Sequence, residues 1–427
     1  MKISHKILAV VVAQVAFTAA VGAYAVHSTR TAMRSWVEDA ARTRAASLAD
    51  EIDRQIHTRL QEWKAYARGE LVQKSLAKSN EEFAALPDVQ AEIDRIDADW
   101  QATAKTAKPA MMRSLTTNPL ARDLIARLDR YDLSNGEPLY GEAFLTNKFG
   151  ANVAQTGRTS DYRQDDEKWW QNSRRDGADV DDVDYDESAG MYSLALGIAV
   201  YDEQGEFAGV LKAVLNLTDV LALVDRRATE HADTQDRDVV LLTRDLRVVH
   251  VAGAESPPLT DGREFAKGLD FAGGAASVQG IVVDDRGDEF LSTFARSRGF
   301  SDYVGNGWLV LVRYATSDAY GEVDAAAAHV IACTVGAAEL QIVVGLVLAF
   351  SLTRRLRRIS DATRLLAEGD LAVRVRVGGS DEIAMLGSEF NKMSDSLADM
   401  SLALQDQLTL TEWQGRMSHF ARCRGLC

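Results

Sequence analysis

The sequence has few cysteines, and its long middle part has none. Only Cys333, Cys423 and Cys427 occur among 427 residues, so no disulfide can hold any part of residues 27–328 together. Packing has to hold that segment, and a composition of 46% hydrophobic and 26% charged residues is that of a folded protein. The length is enough for two or three domains.

An excess of basic residues is missing as well. The net charge is −15, and proteins that bind nucleic acid need clustered Lys and Arg to contact phosphates, so we expect no nucleic-acid partner. The sequence also shows no nucleophile–base constellation, no phosphate-binding glycine loop and no zinc motif. We therefore expect no catalytic residues, no cofactor and no metal centre in this chain.

Two long runs are free or nearly free of charge. Residues 7–26 are twenty uncharged residues, about the length that crosses ~30 Å of hydrocarbon. Residues 330–352 form the second run, which contains Glu339 and Gln341. An ionised Glu at a bilayer centre costs about 2.5–3.5 kcal/mol, which weakens the second assignment, but the apolar residues that follow support it. We predict two transmembrane helices.

The basic residues beside these runs give the orientation, because positive flanks stay in the cytoplasm. The flanking basic residues are Lys2 and Lys6 before the first run, and Arg354, Arg355, Arg357 and Arg358 after the second. Both ends are therefore expected inside and residues 28–328 outside. A cleaved signal peptide is the alternative for the first run, since residues 23–25 (AYA) fit the cleavage pattern. Twenty uncharged residues, however, exceed the usual ~7–15.

The segment between the runs changes from helical to strand-like patterns. Apolar residues at helical spacing and the near absence of Pro and Gly predict one long amphipathic helix over residues 28–76. Further helix is expected to about residue 130, with breaks at the three prolines there. Alternating patterns and turn signals then predict two batches of antiparallel strands, at about 140–217 and 237–315. The predicted fold class is α+β, with two antiparallel-sheet lobes on a long N-terminal helix.

Three motifs in this segment carry a resemblance to a known family. They are a double tryptophan seven residues after a tyrosine (162–170), D-Y-D-x-x-x-G-M-Y (184–192) and V-Y-D-x-x-G-x-x-x-G-V-L (200–211). Over about residues 30–315 the chain resembles the double Cache sensor domain of bacterial receptors, in which a membrane-distal PAS-like lobe binds a small ligand. The resemblance implies a first membrane segment at 1–27, a sensor at 28–328 (helical stalk 28–130, distal lobe 131–225, proximal lobe 226–317) and a second span at 329–352.

In those relatives that sense amino acids, a Trp followed by an aromatic residue marks the ligand pocket, and Trp169 and Trp170 match that pair. There an Arg before the tryptophan holds the ligand carboxylate, and an Asp on a later strand holds its ammonium group. In this chain the corresponding residues are Glu167 and Val214, so both charged groups differ. A carboxylate beside two indole rings suits a cation, because ion pairing and cation–π attraction contribute about 0.5–2 kcal/mol each. We expect a small cationic, amine-like or neutral ligand.

The candidate ligand-binding residues share this motif or the next one: Tyr162, Glu167, Trp169, Trp170 and Tyr185, with Asp184 and Asp186 flanking Tyr185. Two alternatives stay open. The tryptophans can simply pin a loop onto the sheet, with Glu167 solvated. Asp182, Asp184 and Asp186 also have the D-x-D-x-D spacing of a calcium loop, but Glu187 and Ser193 replace its required Gly and Glu, so only a looser divalent site would remain.

The segment after the second run resembles a HAMP linker, which we place at residues 353–405. Its landmarks, and our candidate signal-relay residues, are Gly369, Asp381, Glu382, Phe390 and Met393. Apolar residues form one stripe on each of its two helices, and two short helices alone cannot bury both. Dimerisation into a parallel four-helix bundle would bury them. The proline usual just past the membrane is absent, and Arg355 stands near its place.

These features predict a homodimeric signal receptor of the bacterial inner membrane, in contact with lipid. A small-molecule ligand would bind outside, and the HAMP linker would pass the signal to a cytoplasmic partner that the sequence does not identify. Residues 406–427 are too few for an output module, so we expect a truncated chain. One alternative is the sensory half of a histidine kinase or another signalling enzyme. A membrane-anchored binding protein without output is another.

Overall fold

The computed structural model describes residues 3–104, 107, 109–135, 138–186, 190–229, 237–254, 258–270, 274–376 and 378–423. They divide into two compact units, residues 31–324 and residues 1–30 with 325–427. The helices are α1 (Ile3–Ala67), α2 (Glu70–Ala84), α3 (Val89–Ala102), α4 (Ala110–Thr117), α5 (Pro119–Asn135), α6 (Lys168–Asp176), α7 (Thr218–Thr229), α8 (Thr316–Ala367) and α9 (Glu382–Cys423).

The long N-terminal helix is confirmed, but it ends earlier than predicted. We expected one helix over 28–76, whereas α1 ends at Ala67 and α2 begins at Glu70. Gly69 separates them with extended backbone (φ −67°, ψ 144°), and glycine favours such a break because it loses the most freedom in a helix. The buried stripe of α1 is formed by apolar residues at helical spacing: Leu48, Ile52, Ile56, Leu60 and Trp63.

The first sheet is antiparallel and has six strands. They are β1 (Tyr140–Asn147), β2 (Asn152–Gln155), β3 (Ala178–Val180), β4 (Asp184–Asp186), β5 (Met191–Tyr201) and β6 (Phe207–Asn216). The order is β2-β1-β6-β5-β3, and β4 also pairs with β5. The two predicted hairpins are β1–β2 and β5–β6. The short β3 and β4 were not predicted. One face of this sheet packs into the same core as α1 and α5, through residues such as Leu145, Leu196 and Leu211.

The second sheet is also antiparallel, in the order β10-β11-β12-β7-β8-β9. Its strands are β7 (Arg237–Leu242), β8 (Arg247–Val251), β9 (Thr260–Asp261), β10 (Ser277–Val283), β11 (Glu289–Arg296) and β12 (Leu309–Ala315). Strands β9 and β10 were not predicted. The two sheets confirm the α+β fold with two antiparallel-sheet lobes on a long helix. We call them the first lobe and the second lobe.

The other unit contains the two apolar helical segments and the segment after them. Both segments are long and apolar enough to cross a membrane. The Gln341 side chain donates a hydrogen bond to Thr18 Oγ1 (2.9 Å), so the amide within the second run has a partner on the first. Gly22 faces Thr334 and Gly345 faces Val11, each without room for a Cβ atom. Small residues that let helices approach closely are typical of transmembrane packing.

Candidate ligand-binding site

The double tryptophan lies on a helix, α6, rather than on the loop considered as an alternative. Trp169, Trp170 and Ser173 are buried on one side of it. The helix ends at Gly177, which has a left-handed φ of +85° and donates its N–H to the Ser173 carbonyl at 2.9 Å. Sequence reasoning missed α6, although a glycine after two arginines is a helix-end signal.

Gly197 on β5 allows α6 to lie directly against the sheet. A Cβ atom at Gly197 would be 2.1 Å from Ser173 Oγ and 3.3 Å from Trp169 Cε3. Ser173 is itself fully buried, and its hydroxyl donates to the Trp169 carbonyl at 2.6 Å. The close contact at Gly197 therefore sets the position of Trp169 over the sheet.

We expect Gly197→Ala to push α6 away from β5 and to destabilise residues 31–324 by about 1–3 kcal/mol, the usual range for overpacking. Chemical denaturation of that segment measures the loss. The double variant Gly197→Ala/Ser173→Ala is the matched control, because it removes the hydroxyl that the new methyl group meets. It should recover most of the lost stability. Equal losses in the single and the double variant would contradict this contact.

Trp170 anchors α6 in the first lobe. It is 2% exposed, and its Nε1 donates a hydrogen bond to the buried Thr146 Oγ1 at 2.8 Å. Its ring meets Phe207 edge to face with 5.6 Å between centroids. Trp170 thus holds α6 against β1 and β6, and its indole N–H is already hydrogen-bonded within the protein.

Trp169 covers a sheet face that we call the Trp169 face, defined by Phe144, Gly197, Lys212, Val214 and Asp179. Neighbouring strands place them side by side, since Phe144 and Gly197 each pair with Lys212, and Asp179 pairs with Gly197. Val214 lies two residues after Lys212 and shares its side of the sheet. The resemblance implies that the position of Val214 holds the ligand's ammonium group in amino-acid sensors. Here this position lies on the Trp169 face but carries an apolar side chain.

A cation of the protein itself lies on the aromatic rings of this face. The Lys212 Nζ is 4.9 Å from the Trp169 ring centroid and 5.5 Å from that of Phe144. The two rings meet edge to face at 5.7 Å. Attraction between an ammonium group and a ring is worth about 0.5–2 kcal/mol. Lys212 was not among the predicted residues, because the register that brings β6 beside α6 is not visible in sequence.

Three carboxylates lie on or beside the Trp169 face. Glu167 is exposed, but partial desolvation still raises the pKa of its carboxyl, and the charges of Asp166 and Asp161 raise it further, while Lys212 lowers it. Burial also raises the pKa of Asp181 and of Asp179, with Asp179 and Asp181 close enough to repel each other. Crowded, partly desolvated carboxylates are stabilised by a cation that comes between them. Asp179 and Asp181 were missed because they lie on the unpredicted strand β3 and directly after it.

A buried amide lies at the other edge of the same face. Gln155 on β2 pairs with Phe144 in register and is 0% exposed. Neither its nitrogen nor its oxygen has a hydrogen-bond partner in the described part of the chain. Each buried polar atom left without a partner costs about 1–3 kcal/mol, so a polar group that reached this amide would be bound favourably.

The other predicted residues lie elsewhere. Tyr162 is buried against Trp100 in a separate cluster and lines a cavity of about 490 Å³ with residues of α2 and α4. Tyr185 on β4 is half exposed and meets Tyr192 edge to face at 5.2 Å. Asp184 and Asp186 flank it on the same short strand. No group of three or more metal-ligating side chains comes together within the residues that the structure describes.

The segment that carries Asp181 is tied to the second lobe. The Asn306 side-chain amide donates to the Asp181 carbonyl at 3.0 Å, and Trp308 Nε1 donates to Asp182 Oδ1 at 2.6 Å. The same loop holds Asp302, which accepts hydrogen bonds from Gln61 and Lys64 of α1. A displacement of Asp181 would therefore be transmitted both to the second lobe and to α1.

In the unit formed by residues 1–30 and 325–427, the predicted signal-relay residues lie at two helix ends and in a small hydrophobic core. Gly369 follows α8 with a left-handed φ of +100°. Asp381 accepts from the Ala384 N–H at 2.9 Å and begins α9 together with Glu382. Phe390 is buried with Ala362, Leu366 and the connector residues Leu371, Val373 and Val375. Met393, by contrast, is 46% exposed.

A comparison with protein families identifies the segment that begins within the second apolar helix. Residues 347–399 match the HAMP domain family, so the chain carries a HAMP domain, as predicted. Two apolar helices, the second of which leads into that domain, fit a two-span membrane protein. A search of curated proteins found no match.

Solved structures similar to the chain are ligand-binding domains of chemoreceptors. That of Pseudomonas fluorescens CtaA with L-leucine is 12% identical, with a TM-score of 0.42, and covers 68% of this chain and 99% of its own. That of Pseudomonas aeruginosa PAO1 PctB with L-Arg is 14% identical, with a TM-score of 0.39, and covers 67% and 91%. That of Campylobacter jejuni Tlp3 with 4-methylisoleucine is 11% identical, with a TM-score of 0.34, and covers 66% and 94%.

Proposed function

We propose that this chain is a transmembrane signal receptor of the bacterial inner membrane. It binds a small molecule outside the cytoplasm and passes the signal through its HAMP domain to a cytoplasmic partner. The observation that carries the proposal is the HAMP domain at residues 347–399, which begins within the second apolar helix, α8. The role is that of a sensor and relay without catalysis of its own.

The ligand site lies on the Trp169 face, and the ligand carries an ammonium group. Glu167 and Asp181 interact electrostatically with each other, and partial desolvation raises the pKa of both, although Glu167 is exposed and Asp181 is half-buried. An ammonium group between them would relieve this repulsion. Lys212 lies over Trp169 and Phe144 on the same face, so it can take an anionic group at the other end of the ligand. An amine, with or without a carboxylate, is the class that suits both charges.

The receptor works as a homodimer. In one chain the apolar stripe of α9 stays partly open, with Leu386 50%, Met393 46% and Leu397 40% exposed. A second copy would cover this stripe in a parallel four-helix bundle, in which a change of packing can carry the signal. A homodimer is supported by this open stripe and by the HAMP match.

A chimera tests the receptor function. Residues 1–405 are joined to the output of a well-characterised histidine kinase with a gene reporter, and cells are exposed to a panel of small amines and amino acids. We expect at least one compound to change reporter output. Glu167→Arg should abolish that response, because it places a cation where the ligand's ammonium group binds. A response that survives Glu167→Arg would contradict the site, and a chimera silent to every compound would contradict the function.

A further inference from the structure

The first lobe contains a cavity that shares no lining residue with the Trp169 face. This cavity of about 490 Å³ lies between the helices α2 and α4 and the strand β2. Its apolar walls are formed by the side chains of Leu71, Phe83, Leu115, Leu120 and Val153. The volume lies within the ~300–1,000 Å³ usual for small-molecule sites, so a small organic compound fits the cavity.

The charged side chains that line this cavity compensate one another. They are Lys74, Lys78 and Glu82, all exposed on α2. Lys78 pairs with Glu82 at 3.8 Å, and Lys74 pairs with Glu70 on the preceding turn. Because each ammonium group has a carboxylate beside it, the cavity offers no uncompensated charge. It therefore favours an uncharged ligand.

A buried acceptor without a donor lies in the cavity wall, on Asn152. This residue is 3% exposed, and its Nδ2 donates to Thr159 Oγ1 at 3.0 Å and to the Asp161 carbonyl at 3.1 Å. Its Oδ1 has no hydrogen-bond partner in the described part of the chain. Turning the amide over would place this oxygen against the Asp161 carbonyl, so the oxygen stays the atom that lacks a partner. A buried acceptor in that state is costly until a donor reaches it.

A buried donor without an acceptor lies beside it, on Tyr162. The Asn152 N–H donates to the Tyr162 carbonyl at 3.3 Å, so the two residues are neighbours. Tyr162 is 2% exposed, and among the residues that the structure describes its hydroxyl has no hydrogen-bond partner. Burial raises the pKa of Tyr162 above the ordinary 10, so the hydroxyl stays protonated and can donate.

Other polar side chains of the cavity are engaged within the protein. Asn118 uses both ends of its amide, and Ser75 and Ser114 donate to carbonyls of their own helices. The groups that can select a ligand are therefore Asn152 Oδ1 and the Tyr162 hydroxyl. A ligand hydroxyl suits both, because it can accept one hydrogen bond and donate another.

We propose that this cavity is a second ligand site of the first lobe, for a small neutral compound with an apolar body and a hydroxyl group. The Tyr162 hydroxyl donates to the ligand oxygen, and Asn152 Oδ1 accepts from the ligand hydroxyl. The apolar walls cover the rest of the compound. Such a ligand carries no charge, unlike the ammonium-bearing ligand proposed for the Trp169 face.

Fluorine NMR of the full chain in a neutral detergent tests this proposal with two probes. They are 4-fluorobenzyl alcohol and 4-fluorotoluene, which lacks the hydroxyl. Both enter detergent, so a sample without protein is the blank. We expect the alcohol to bind, and Tyr162→Phe to weaken its binding about fivefold, the usual effect of one hydrogen bond between neutral groups. The same variant should leave 4-fluorotoluene binding unchanged.

Two further variants complete the test. Tyr201→Phe makes the same chemical change at a half-exposed position outside the cavity and should bind the alcohol like the wild type. Ser114→Trp fills the cavity from an exposed position on α4 and should abolish binding. The Tm of Tyr162→Phe should not fall, because the lost hydroxyl has no partner in the protein. No binding of the alcohol to the wild type, binding that survives Ser114→Trp, or equal affinity in Tyr162→Phe and the wild type would each overturn the proposal.

Discussion

Replacing Asp53 with alanine should destabilise residues 31–324 by about 3 kcal/mol or more, because it leaves three donors without their acceptor. Asp53 lies buried on α1 and accepts hydrogen bonds from Ser297 Oγ (2.6 Å), the Arg298 N–H (3.0 Å) and the Gly299 N–H (2.8 Å). These bonds fasten the loop after β11 to α1. For a unit of this size the loss corresponds to a fall in Tm of about 6–12 °C.

Asp53→Asn provides the control and a pH signature. Burial raises the pKa of Asp53 above the ordinary 3.8, in spite of the hydrogen bonds that lower it. A carboxyl whose folded pKa is raised contributes most stability below its unfolded pKa, and that contribution is lost as the pH rises through the folded pKa. Thermal unfolding of the wild type should therefore show this loss as the pH rises above 3.8, and Asp53→Asn should not. Equal Tm values for Asp53→Ala and the wild type would contradict the role of Asp53.

Acidic residues on the α9 stripe should separate the proposed dimer of HAMP domains. Leu386→Glu/Leu397→Glu would bury two carboxylates in the proposed four-helix core, at a cost of several kcal/mol. We expect the dimer of the full chain to weaken by about 100-fold or more, measured by sedimentation in detergent. The fold of a single chain should tolerate both replacements, because Leu386 and Leu397 are 50% and 40% exposed in it.

The control carries the same two charges one position earlier. Met385→Glu/Ser396→Glu adds them beside the stripe, where Met385 is 64% exposed. This variant should stay dimeric. If both double variants dimerised like the wild type, the stripe would not be the dimer contact.

The overall architecture could be predicted because its signals are local and long. Apolar spacing along α1, the prolines between the following helices and the turn between β5 and β6 are all readable within one segment. The stripe of α9 and the landmarks Gly369 and Asp381 identified the HAMP domain in the same way. Gly69 is the one glycine within residues 28–76 and lies between α1 and α2, but a single glycine in an apolar helical pattern does not by itself predict the end of a helix.

The candidate site could be predicted only in part, because it depends on register. Trp169 and Glu167 were found through the motif, but β3 and β4 have three residues each, too few for alternation to be recognised. Lys212 reaches Trp169 from a strand more than forty residues later, and only the pairing of β6 with β1 and β5 brings it there. Tyr162 lies in another cluster for the same reason, since its contacts are with α3.

Calorimetric titration of residues 31–324 with amines and amino acids tests the central claim, a site for an ammonium-bearing ligand on the Trp169 face, most directly. We predict that at least one compound binds, and that Asp181→Asn weakens this binding by about tenfold or more, since a hydrogen bond to a charged group contributes about 1.5–3 kcal/mol. Glu203→Gln, at an exposed position between β5 and β6, should leave it unchanged. Binding that is unaffected by Asp181→Asn would contradict the account.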